Sequence, residues 1–161
     1  MNKSIIINTS PWIALSLCKQ TSLLDKLYEE VFMPAAIKDE ILAGGKKEVG
    51  IKELNESGWL KVEKVKDIKK VKLLYELERG EAEVIILALE KGIKLVLIDE
   101  KIARLQAKVL NLEVMGTLGL LLKAKKRKLI ENIKPLINSI IKGGYWLKED
   151  IIEGILKEAG E

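Results

Sequence analysis

Five short apolar runs punctuate the chain, separated by longer stretches in which apolar residues return every three or four positions. The runs are Ser4–Asn8, Val31–Met33, Trp59–Val65, Ile93–Ile98 and Leu112–Met115. Each is brief and nearly continuous, the pattern of a strand buried on both faces. The longer stretches predict helices at Pro11–Lys19, Leu23–Glu29, Pro34–Ala43, Val49–Ser57, Ile68–Leu77, Glu81–Lys91, Lys101–Leu110, Leu118–Lys128, Ile133–Lys142 and Glu149–Ala159. Strands alternating with helices argue for an α/β fold, a three-layer sandwich with a central parallel sheet. Ser10 before Pro11 predicts an N-cap, Pro34 opens the third helix, and Thr117 and Lys148-Glu149 mark two further starts. No repeat, low-complexity tract or linker divides residues 1–161, which read as a single domain. "GGKKEVG" (44–50) and "GGY" (143–145) are loops within it. The segment 143–161 forms a C-terminal helical appendage, packed by Trp146, Ile151, Ile152 and Ile155.

Polar residues that interrupt this pattern mark the candidate chemistry. Asn8 and Asp99 each end a strongly apolar run, at the carboxyl end of a buried parallel strand, where α/β folds place their sites. Asp99 also suits the N-cap of the helix that begins near Lys101. At about 100° per residue, Glu81 falls on the stripe of Ile85, Ala88 and Leu89, an acid on the buried face. Glu83 falls on the opposite side with Glu90, the predicted solvent face. Favourable charge at a helix N-terminus would also account for Glu81, but an inward-facing acid needs a partner. Glu40 edges the apolar face of its helix. Glu100 is a second acid at the Asp99 corner, four residues before Arg104, with which it can form an ion pair along the helix.

Composition narrows the chemistry. The chain has no histidine and one cysteine, which excludes Ser-His-Asp and Cys-His catalysis and a histidine or multi-cysteine zinc site. No glycine-rich phosphate loop or dinucleotide turn is present. What remains are carboxylates, lysines and hydroxyls, a set suited to hard, oxygen-ligated cations such as magnesium or manganese. Lys and Arg number 28 against 24 Asp and Glu, a formal charge of +4, mildly basic and compatible with a polyanion. The run "KAKKRK" (123–128) adds a basic patch, but with aromatics at 4% no base-stacking platform interleaves with it. Cys18 reads as a buried thiol. The lack of a secretion signal or membrane-length apolar run predicts a cytoplasmic protein, and abundant Lys and Glu suit a heat-adapted source, a thermophile.

The stretches "INTSPWIAL", "VFMPAAIKDEIL", "LERGEAEVIILALEKG", "LIDEKIARLQA" and "VMGTLGLLLKAKKRKLI" occur in an order and spacing that resemble the PIN-domain family, over most of the chain. The resemblance implies a parallel five-stranded sheet of order 3-2-1-4-5 and a Mg²⁺- or Mn²⁺-dependent ribonuclease. It also implies, as in many such proteins, the toxin of a toxin–antitoxin pair, with RNA and an antitoxin protein as partners and a homodimer as the assembly. The family's acidic cluster maps onto Asn8, Glu40, Glu81 and Asp99, with Glu100 assisting and Ser10 as the hydroxyl beside the first position. Asn8 departs from the aspartate usual there: it keeps a carbonyl oxygen and loses a negative charge. On this reading Glu40, Glu81 and Asp99 are catalytic and, with Asn8 and Glu100, hold the metal. Thr9, Ser10 and Arg104 bind substrate, single-stranded RNA. The alternative implied by Asn8 is a degenerate, catalytically weak PIN fold that acts as a nucleic-acid- or protein-binding regulatory module.

Overall fold

The computed structural model describes residues 3–44 and 48–161, so part of the predicted 44–50 loop lies outside the described residues. In chain order the elements are β1 (Ser4–Ile7), α1 (Thr9–Leu17), α2 (Ser22–Leu27), β2 (Glu30–Pro34), α3 (Ala35–Ala43), α4 (Ile51–Glu56), β3 (Leu60–Glu63), α5 (Ile68–Leu73), α6 (Arg79–Lys91), β4 (Leu95–Leu97), α7 (Lys101–Val109), β5 (Glu113–Met115), α8 (Thr117–Lys126), α9 (Lys134–Lys142) and α10 (Glu149–Glu158). Every predicted strand and helix is present, most of them shorter than the sequence pattern suggests.

The strands form one parallel sheet of order β3-β2-β1-β4-β5. Ile5 pairs with Val31 on one side and Leu95 on the other, which puts β1 at the centre. Successive residues of a strand face opposite sides of the sheet, so the complete burial of Ile5, Ile6 and Ile7 means that both faces are covered. The order reverses between β1 and β4, and Asn8 and Asp99 follow these two neighbouring strands. The crevice at such a reversal is where open α/β sheets hold their ligands.

Several sequence expectations are corrected by packing. Helix α1 begins at Thr9, so Asn8 rather than Ser10 occupies the N-cap position; its backbone is still extended (ψ 169°) and its carbonyl accepts from Trp12 N. Glu83 does not face solvent. It is 3% exposed, because α6 packs against α3, α5, α7 and three strands at once and has almost no solvent face between Ala82 and Ala88. At the C-terminus Ile152 and Ile155 pack on the core, whereas Trp146 is 75% exposed and Ile151 also faces out. Helix α10 lies against α8, and it and the residues after it take up part of the basic run: Lys126 pairs with Glu158 at 3.2 Å and Lys125 with Glu161, beyond the helix, at 3.0 Å. Lys123 sits 4.6 Å over the Tyr28 ring. These cations are engaged in holding the fold together. No helix among the described residues is long and apolar enough to cross a membrane.

Candidate functional site

The carboxyl ends of β1 and β4, the middle of α3, the first turn of α6 and helix α7 deliver the predicted site residues. From β1 the chain passes directly into α1, so Asn8, Thr9 and Ser10 fall at the rim of the sheet. Asn8 N–H donates to Leu97 O of β4 at 3.1 Å, fixing the two strand ends side by side. The Asn8 side chain is buried and makes no hydrogen bond to the helix it precedes. Thr9 Oγ1 donates to Glu40 Oε2 at 2.7 Å, tying the start of α1 to the middle of α3.

Helix α6 brings Glu81. Its Oε1 accepts from Glu78 N at 3.1 Å, and the Glu78 side chain accepts from Glu81 N in return, a capping box that uses glutamate at both positions. The capping role and the inward position therefore coexist. Gly80, just before it, allows the close approach: a Cβ there would lie 2.6 Å from Ile37 Cδ1 and 3.0 Å from Glu40 Oε2. Burial raises the Glu81 carboxyl above its ordinary range; the Glu78 N–H opposes this, and the charges of Glu78, Glu100 and Glu40 add to it. Glu40, Glu81 and Glu100 thus form an anionic group whose charges are felt at the half-buried Glu81.

Asp99 is differently placed. It does not cap α7, which begins after Glu100; it accepts instead from the start of α8. Thr117 N donates to Oδ1 at 2.7 Å and Thr117 Oγ1 to Oδ2 at 2.6 Å. The carboxylate so complements the positive end of α8. Tyr145, from the loop between α9 and α10, donates its hydroxyl to Oδ2 at 2.6 Å. The phenol is pushed far above its usual range by burial and by the Asp99 charge, with the Ser10 hydroxyl against the same oxygen and Glu100 nearby. The charge of Glu100 thus acts on both halves, on Glu81 on one side and on Tyr145 on the other. Arg104 turns from the ion pair with Glu100 predicted above to the strand end, where Nη1 donates to Ile98 O at 2.9 Å. Gly116 makes room for it: a Cβ there would meet Arg104 Nη1 at 2.8 Å and Asp99 Oδ1 at 3.0 Å.

Sequence reasoning singled out the acids and missed Tyr145, the partnership of Thr117 with Asp99, and the two glycines. A signal existed for Thr117, since "MGT" ends the fifth strand as "INT" ends the first. None existed for Tyr145, whose partner lies 46 residues away.

The donor set is all oxygen and largely anionic, which suits a hard divalent cation. Among the described residues no three acids stand close enough to form a ready-made ligand cluster. Beside this cleft, between α3 and the start of α6, lies a groove of about 660 Å³ lined by Ala36, Glu40, Lys64, Arg79 and Glu83 among others. A family model described as a PIN domain matches residues 4–161. No curated protein and no solved structure matches the chain.

Proposed function

The chain belongs to the PIN-domain family, and on that premise we propose that it is a metal-dependent ribonuclease acting on single-stranded RNA. The observation that carries this reading is the placement of Asn8 and Asp99 at the reversal point of the sheet, with the charges of Glu40 and Glu100 acting on Glu81 beside them. Like charges that act on one another cost stability unless a cation relieves them. Glu40, Glu81, Asp99, Glu100 and the Asn8 carbonyl would hold Mg²⁺ or Mn²⁺, which when bound lowers the pKa of a water and offsets charge on a phosphate.

The chain's own groups divide the remaining work. Glu81, half-buried in the first turn of α6, is a carboxylate placed to accept a proton from a water approaching phosphorus. Thr9 orients Glu40 through its hydroxyl. The first N–H groups of α1, at Thr9 and Ser10, have no intrahelical acceptor and suit a phosphate oxygen. Arg104, with one donor on Ile98 O, keeps others of its five N–H groups for the RNA backbone. A second reading, a binding module without turnover, is favoured by one observation: the residue at the centre of the cleft is a neutral amide, Asn8.

The test is incubation of a fluorescent single-stranded RNA with the protein in Mn²⁺, Mg²⁺ or chelator. Cleavage that needs the metal and is lost in Glu81→Gln supports the ribonuclease. RNA binding without cleavage in either metal supports the binding module.

A further inference from the structure

Tyr145 belongs to none of the acidic motifs, yet it reaches into their centre. The loop that carries it, residues 145–148, has no regular structure and follows Gly143 and Gly144, the latter at φ +95°. Gly143 is seated hard against α1: a Cβ there would lie 2.5 Å from Leu17 Cδ2. That close fit against the Leu17 side chain helps to set where the next residues enter. Tyr145 is half-buried, and its hydroxyl meets Asp99, just beyond β4, with Ser10 on α1 beside it. It thereby joins the two strand ends on which the cleft is built.

The bonds at Asp99 can be counted. An ionised carboxylate offers about four acceptor positions. Thr117 takes one on each oxygen and Tyr145 takes a third, on Oδ2. One position remains, on Oδ1, so Asp99 is held to a single orientation with a single open lone pair. Ordering a ligand in advance is what outer hydrogen bonds do for carboxylates in metal sites.

We propose that Tyr145 is a positioning residue of the ribonuclease site, acting through Asp99, and that the C-terminal loop is part of the catalytic apparatus. This rests on the ribonuclease reading above. Without the hydroxyl, Asp99 keeps its charge and its bonds to Thr117 but gains freedom at Oδ2. Metal binding and turnover should then suffer while RNA affinity, set by other groups, should not.

The experiment is Tyr145→Phe, which keeps the ring and its packing, studied in the full chain with Mn²⁺ alone and then with single-stranded RNA. Binding of Mn²⁺, followed by the spin resonance of the free ion, should weaken about tenfold. The turnover number should fall with it, and KM for RNA should stay within about twofold. In the Asp99→Asn background Tyr145→Phe should add little further loss, because two residues that act through one contact are not additive. In the Glu81→Gln background it should add its full effect. Unchanged Mn²⁺ affinity in Tyr145→Phe, with the parent still binding, would reduce Tyr145 to packing and leave the ribonuclease reading standing. Tighter binding would show that the hydroxyl restrains the site, which also overturns the proposal. A parent protein that binds no Mn²⁺ would end both.

Discussion

Arg79 Nε donates to Glu83 Oε2 at 2.8 Å, joining a guanidinium that is 75% exposed to a carboxylate whose side chain is 4% exposed. The pair is lopsided, and so should be the cost of breaking it. Arg79→Ala strands a buried charge and should destabilise by about 3 kcal/mol. Glu83→Gln leaves an amide that can still bond and a cation in water, and should cost about 1 kcal/mol. Urea unfolding of the two variants measures the difference; equal costs would mean that Glu83 is hydrated in solution.

Glu81→Gln should reduce Mn²⁺-dependent cleavage by roughly a hundredfold or more, the usual contribution of a proton-transfer group. The same change should raise the melting temperature in chelator, since it removes one of several crowded charges, and glutamine can still accept from Glu78 N. A variant that cleaves RNA at the parent rate would remove Glu81 from the site.

Asn8→Asp changes charge with almost no change in size at a buried position. In chelator another anion joins the cluster, and the melting temperature should fall by roughly 2–4 °C, the shift for about 1 kcal/mol in a chain of this length. In excess Mn²⁺ the order should reverse, with tighter metal binding and faster cleavage. Destabilisation in both conditions, with no gain in affinity, would favour the binding module.

Gly116→Ala places a methyl group against Arg104 Nη1 and Asp99 Oδ1. Both are side-chain ends that can shift, and the backbone at φ −99° accepts alanine. Stability should therefore change by less than about 1 kcal/mol, while Mn²⁺ affinity falls several-fold. Calorimetry on the two proteins separates these effects. A loss of fold without a loss of affinity would contradict the placement of Asp99.

Glu161 supplies the pH dependence. Burial would raise its carboxyl, but the N–H groups of Ile133 and Lys134 and the Lys125 ammonium hold it at about 2, against 4.5 for the ordinary group. A depressed carboxylate contributes stability above its unfolded value and loses it as pH falls through the folded one. Glu161→Gln should therefore melt below the parent at pH 7, with a gap that narrows from pH 4.5 toward about 2. A gap independent of pH would mean that the charge is not what anchors the chain end.

The sequence alone determined the elements and the polar residues that close the central strands. A strand buried on both faces needs an unbroken apolar run, so "IIIN" and "LVLID" announced both a central strand and the polar residue that closes it. Periodicity likewise placed Glu81 toward the interior and edged Glu40 against its helix face. The same periodicity put Glu83 in water, because a helical stripe assumes one buried side, and only the packing of α6 against three helices and three strands removed the other. The N-cap moved from Ser10 to Asn8 because the sheet hands the chain to α1 with no intervening loop. The partners of Asp99 were beyond any local pattern. Thr117 and Tyr145 lie 18 and 46 residues along the chain, and a hydrogen bond across such a distance depends on where whole elements dock. Local sequence encodes which way a side chain points on its own helix or strand; which group it meets there is settled by the tertiary structure, since burial makes a carboxylate find donors wherever the fold supplies them.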